Sequence, residues 1–141
     1  MELFISTASA HADDKSYVRN NMYAFNRNHF PEELRSRYQE VNVFLKDADG
    51  HIYGGLVGEI CWNWLEIHYL YVDEQLRHGG YGTKLLDEAE RIAREKKCDF
   101  SKLDTLSFQA LDFYKKQGYE TYGVIPNAGG FEHYYLKKDL S

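Results

Sequence analysis

Several common classes are excluded by what this sequence lacks. It has two cysteines, Cys61 and Cys98, both in apolar-flanked segments and without paired spacing, which leads us to expect a reduced, cytoplasmic protein. The first residues agree, since Met1-Glu2-Leu3 offers neither a charged n-region nor a long apolar run. No stretch approaches the ~18 apolar residues that span a bilayer. Positive charge is also scarce: 17 Lys and Arg stand against 22 Asp and Glu, a net charge of −5. There is no broad cationic face for nucleic acid or anionic lipid, so neither partner is expected. A local basic cluster for one phosphorylated ligand remains possible. The six histidines (His11, His29, His51, His68, His78 and His133) show no H-x-x-x-H spacing, and no metal is expected.

With 141 residues the chain is expected to form a single domain, 1–141. Its aromatic content is 16%, including 12 Tyr, which suits a pocket of flat, half-polar surfaces or a Tyr-rich core. Residues 2–6 read as a strand. Val18, Met22 and Phe25 recur at helical spacing behind the acidic Asp13 and Asp14, and a second short helix is expected over 31–39 with Pro31 in its first turn. Strands over 42–46 and 52–60 flank the turn signal Asp47-Ala48-Asp49-Gly50, and residues 62–72 are the most strand-like run. Leu85, Leu86, Ala89, Ile92 and Ala93 form one helical stripe. A strand over 99–105 follows, then Ser107 as a helix N-cap, a helix over 108–117 closed by Gly118, and strands over 119–125 and 134–138. The expected fold is α+β, a mixed, mostly antiparallel sheet with helices on both faces in the order β-α-α-β-β-β-α-β-α-β-β.

Between the third of these consecutive strands and the following helix lies Arg77-His78-Gly79-Gly80-Tyr81-Gly82. Glycines expose backbone N–H groups, and a helix start adds free donors and the positive end of its dipole, so the turn suits an anion. A tight connection with no ligand would use the same residues. Two nucleotide motifs are missing: there is no G-x-x-x-x-G-K-[ST], and the spacing G-G-x-G is not G-x-G-x-x-G. Three strands in a row before the turn also argue against a dinucleotide-binding fold.

Arg77-x-x-Gly80-x-Gly82 resembles the Q/R-x-x-G-x-G/A signature of the GNAT family of N-acetyltransferases. The segment from Phe108 to Tyr119 is similar to that family's A-x-x-F-Y-x-x-x-G-F/Y run, with Ala110, Phe113, Tyr114, Gly118 and Tyr119 in register. The resemblance covers essentially the whole chain and implies a three-layer α/β/α fold. It also implies transfer of an acetyl group from acetyl-CoA to a primary amine by direct attack in a ternary complex. Carried over by position, Arg77, His78, Gly79, Gly80, Tyr81, Gly82 and Thr83 would hold the pyrophosphate. Leu70, Tyr71 and Val72 would offer backbone groups to pantetheine, and Tyr114 would be the general acid. A phenol suits that task, because its pKa of ~10 is comparable to that of a departing thiolate. Some relatives carry a glutamate base where Glu66 stands. His68, two residues on, is the second candidate for the base, and water-mediated deprotonation needs neither side chain. Where the family often has an Asn that bonds pantetheine, this chain has Ser107, whose hydroxyl either replaces that contact or caps a helix. Acceptor-facing residues are expected around 23–38, at Trp62 and Trp64, and in 125–133. An acyl-CoA sensor without catalysis is the alternative reading, and pairing of two copies through exposed strands stays open.

Overall fold

The computed structural model describes residues 1–7 and 12–141, so that His11 lies outside it. The chain divides into two units, Met1–Ser36 and Arg37–Ser141. The first holds helix α1 (Ala12–Arg27) and a 3-10 turn at Glu32–Leu34. Asp13 and Asp14 sit in the first turn of α1 and Arg27 in the last, each complementing the helix dipole.

The strand expected over 2–6 is not formed, because residues 1–7 take part in no ladder. An apolar segment supplies a face, but a strand also needs a neighbour for its backbone N–H and C=O groups. The helix expected over 31–39 shrinks to its 3-10 turn. Arg35 is already extended, Ser36 has a φ of 62°, and Tyr38 and Gln39 pair with Cys61 and Ile60 instead.

The second unit is a six-stranded sheet in the order β1-β2-β3-β4-β6-β5. Its strands are β1 (Tyr38–Lys46), β2 (Ile52–Cys61), β3 (Trp64–Val72), β4 (Phe100–Leu106), β5 (Glu120–Ala128) and β6 (Phe131–Asp139). Every adjacent pair is antiparallel except β3 and β4. At the β1–β2 turn the Asp47 carboxylate accepts from the backbone N–H groups of Asp49 and His51 and from the Tyr53 hydroxyl. Asp47, Asp49 and His51 are exposed there, with potential ligand atoms close together, and the Asp47 oxygens are spent on the turn itself. Trp62, expected within a strand, turns the β2–β3 hairpin with a φ of 49°.

Helix α2 (Tyr81–Glu95) and helix α3 (Leu111–Lys116) pack against one face of this sheet. The core joins Leu85, Leu86, Ala89 and Ala93 of α2 to Leu56, Leu65, Leu103 and Leu136 of the strands. The helix expected over 108–117 begins late, at Leu111, because Ser107 is bound to the neighbouring strand. Its backbone N–H donates to Glu132 O at 2.8 Å, and its hydroxyl accepts the Glu132 N–H at 3.3 Å. The N-cap position falls to Ala110, which makes no side-chain cap.

Gly58 of β2 leaves no room for a side chain, since a Cβ there would stand 2.5 Å from the Glu66 carbonyl oxygen. Gly58→Ala is therefore expected to destabilise the fold by about 1–3 kcal/mol through overpacking against backbone. Urea unfolding of the variant beside the parent measures the difference.

Candidate acetyl-CoA site

The glycine-rich turn follows a 3-10 turn at Glu74–Leu76. His78 and Gly80 both adopt left-handed conformations, with φ of 69° and 82°, and Gly80 is the N-cap of α2. Only a residue without Cβ takes up that geometry freely, and Gly80 has open space around it. Among the described residues, no backbone N–H from 78 to 83 donates to a carbonyl, and Lys84, bonded to Gly80 O at 3.2 Å, is the first of α2 to do so. Six adjacent donors at a helix start are thus left without a carbonyl partner among the described residues. Arg77 fixes the turn from behind: its Nε donates to Val72 O at 2.9 Å, and its guanidinium lies 5.6 Å from the centre of the Tyr71 ring. Thr83 accepts from Gln117 Nε2 at 3.1 Å, which ties the start of α2 to the end of α3.

A slot leads away from this turn. β3 and β4 are paired only where Trp64, Leu65 and Glu66 meet Phe100, Ser101 and Lys102. From Ile67 to Val72 the β4 side of β3 carries no strand partner among the described residues. Its other side pairs with β2, where Val57 faces Tyr69 but Gly58 faces Ile67, so that His68 is the extra residue of a bulge. The bulge changes the parity of the strand. Leu65 and Ile67 are buried in the core before it, whereas Leu70 and Val72 pack against the core after it. The backbone groups of Leu70 and Val72 point to the open edge, where the Val72 carbonyl is held by Arg77, while those of Tyr71 face Gly55 of β2.

Tyr114 projects from α3 with 6% of its surface exposed. Its ring meets those of Phe113 and Tyr119 edge to face, at 5.3 and 5.8 Å. The hydroxyl makes no hydrogen bond among the described residues, and burial pushes its pKa up to about 12. Tyr119 holds this arrangement from below. Its hydroxyl donates to Glu90 Oε2 at 2.9 Å and lies 2.8 Å from Ser101 Oγ, and Lys138 Nζ reaches Glu90 Oε1 at 2.7 Å. Burial and the Glu90 carboxylate push the Tyr119 phenol far up. Tyr119→Phe should cost about 1–3 kcal/mol, because it removes a donor from a carboxylate that is 1% exposed. Thermal and urea unfolding test that loss.

On the sheet face opposite the core, Glu66 and His68 lie on either side of Glu59, a residue the sequence reading passed over. Glu59 and Glu66 are direct cross-strand partners. The Glu66 carboxylate is occupied by Lys102 Nζ at 3.5 Å and by the indole N–H of Trp64 at 3.4 Å. Glu59 accepts from the Tyr38 hydroxyl at 2.8 Å and from Cys61 at 3.5 Å, and His68 Nε2 lies 3.4 Å from its Oε1. Burial would raise the Glu59 carboxyl, but these contacts outweigh it and hold it below the usual range. Its charge, after burial, helps push the Cys61 thiol up to about 12, so that thiol stays protonated. Cys98 is 3% exposed and likewise raised by burial. The signal that marks Glu59 in the sequence is weak, a lone charge in the run Gly58-Glu59-Ile60. Only pairing shows that it faces Glu66. Further along, His133 Nε2 lies 3.1 Å from Asp104 Oδ1, in the part of β4 beyond its pairing with β3.

A sheet forked after three paired residues, an open anion turn at a helix start, and a buried phenol with a bare hydroxyl define an acyl-CoA-dependent transferase. The sequence profile of the acetyltransferase (GNAT) family matches residues 8–119, and the chain belongs to that family. An acetyltransferase of Agrobacterium fabrum is 31% identical over 136 residues, covering 96% of this chain and 97% of that protein. Blasticidin-S acetyltransferase of Streptomyces morookaense is 40% identical over 93 residues, covering 64% of this chain and 68% of its own. The crystal structure of an acetyltransferase from Bacillus cereus superposes with a TM-score of 0.87 at 35% identity, covering 96% of this chain and 97% of that one. The chain is thus an N-acetyltransferase that moves an acetyl group from acetyl-CoA to an amine. No helix among the described residues is long and apolar enough to cross a membrane.

Proposed function

We propose that acetyl transfer here is direct, within a ternary complex, in one cytoplasmic domain spanning 1–141, and that the acceptor is a small cationic amine. The observation that carries this reading is the opened edge of β3, which runs from the glycine turn toward the fork of the sheet. The N–H groups of residues 78–83 suit a pyrophosphate, and the Leu70 backbone and the Val72 N–H suit the amide groups of pantetheine. The fork then receives the thioester. A free N–H on that edge polarises its carbonyl, and Tyr114 gives its proton to the departing thiolate. Ser107, engaged with Glu132, serves the connection to β6 rather than the ligand. The acceptor enters from the face that carries Glu59, Glu66 and His68, and the base is Glu66, His68 or solvent.

The acidic net charge of −5 and these carboxylates favour a cation. The test follows free thiol released from acetyl-CoA with spermidine, an aminoglycoside and a lysine-containing peptide. Turnover of spermidine or the aminoglycoside supports the reading, and turnover of the peptide alone would replace the small amine with a protein amine. Stabilisation by CoA without turnover favours an acyl-CoA sensor, and absence of CoA binding rejects both.

A further inference from the structure

The structure distinguishes the two side chains that sequence offers as bases, and we propose that His68 takes the proton from the acceptor, with Glu59 as its positioning residue. This rests on the acetyltransferase reading and deepens it. Glu66 is poorly free to act. It lies in the paired part of β3, and its carboxylate already holds Lys102 at 3.5 Å and the Trp64 indole at 3.4 Å. His68 stands where the strand opens. It is the added residue of the bulge, two positions past the last residue paired with β4, and 44% of its side chain is exposed.

Glu59 gives the imidazole a defined role. With Nε2 3.4 Å from Glu59 Oε1, the favoured tautomer carries its hydrogen on Nε2 and presents the lone pair of Nδ1 outward. Among the described residues no hydrogen bond is made by Nδ1. The carboxylate also stabilises the imidazolium once a proton arrives, as a buried acid does for any catalytic imidazole. Glu59 is itself held by Tyr38, whose hydroxyl donates at 2.8 Å, so it is steered from β1 while it steers β3. The other titratable groups near this place are Glu40 of β1, Tyr69 of β3, and the Glu66 and Lys102 pair. None of these is in hydrogen-bond contact with the imidazole among the described residues.

The protons balance. An alkylammonium acceptor loses two on becoming an amide. One passes to His68 Nδ1 and then to solvent, which frees the nitrogen pair to attack the thioester carbonyl. As the C–N bond forms and the C–S bond breaks, the second leaves the nitrogen, and the thiolate is protonated through Tyr114.

Two measurements on the full chain test the proposal. Imidazole nitrogen shifts, assigned to His68 by their loss in His68→Gln, should show the Nε2–H tautomer in the parent and a mixture in Glu59→Gln. This readout needs no substrate. The second is the pH dependence of thiol release with the fastest of the three amines above. His68→Gln should lower kcat/KM at pH near 7 by about 100-fold or more. The deficit should shrink toward pH ~10, where a lysine-like amine loses its own proton. Glu59→Gln should also lower kcat/KM at pH near 7, because it leaves the imidazole in mixed tautomers. A purely structural role would reduce the rate equally at every pH. An Nδ1–H tautomer in the parent, a pH-independent deficit, or an acid limb that disappears only in Glu66→Gln would overturn the assignment. If no amine turns over, the acetyltransferase acceptor reading fails, and the tautomer still decides the Glu59 contact.

Discussion

Gly80→Glu is expected to abolish acetyl-CoA binding while leaving the fold largely intact. Three effects act at one atom. The φ of 82° places any side chain in the left-handed region, at a cost of about 1–2 kcal/mol. The new carboxylate would then stand beside the row of free N–H groups from 78 to 83 and satisfy them internally. Finally, its charge opposes a pyrophosphate over a few ångströms. Open space around Gly80 means that the core is not disturbed. Titration calorimetry with acetyl-CoA should show at least ~100-fold weaker binding, equivalent to about 2.7 kcal/mol. The thermal midpoint should fall by no more than about 10 °C, the amount that the conformational strain alone accounts for. Gly80→Ala, which keeps only the conformational strain, should fall between the parent and Gly80→Glu. Equal affinities in all three proteins would remove the turn from the cofactor site.

Tyr114→Phe should reduce kcat by about 100-fold or more, the usual yield of a positioned acid, with acetyl-CoA affinity within about twofold. The Tyr114 hydroxyl is isolated. It has no protein partner to lose among the described residues, so its removal leaves no orphaned polar group. The aromatic contacts with Phe113 and Tyr119 survive in phenylalanine. A pKa pushed up to about 12 by burial keeps the phenol protonated throughout the neutral and moderately alkaline range. Tyr114 should therefore impose no alkaline fall in rate below pH ~11. Steady-state kinetics of thiol release across pH, beside acetyl-CoA titration, measures both parts. Undiminished kcat in Tyr114→Phe would show that solvent protonates the thiolate.

Much of the second unit can be read from local pattern because its elements carry their own punctuation. The Leu85 to Ala93 stripe is one face of α2, and the Asp47 to Gly50 turn separates two strands that do pair. The glycine turn was equally visible, since backbone exposure is written directly in residue type. Reading fails where a partner decides. Residues 2–6 find no strand to pair with, Ser107 is drawn to β6 instead of capping a helix, and Trp62 turns where its apolar character suggested extension. The bulge at His68 is hidden for a related reason. Its evidence is a mismatch of parity between Leu65, Ile67 and Leu70, Val72, and that mismatch has meaning only once β2 is known to lie alongside. Glu59 is missed with it. A single acidic residue in a strand looks solvated until its cross-strand neighbour is Glu66 and the displaced neighbour is His68.

The Arg77 contact with Val72 has a thermodynamic consequence. It fastens the turn to the strand that precedes it, with the left-handed residues already set and the donors already free. The turn is thus organised before any ligand arrives. Association should lose little backbone entropy at the phosphates, and the favourable enthalpy of new hydrogen bonds should appear almost undiminished in the affinity. Releasing the clasp would return that ordering to the binding step, felt as weaker affinity with a more unfavourable entropy.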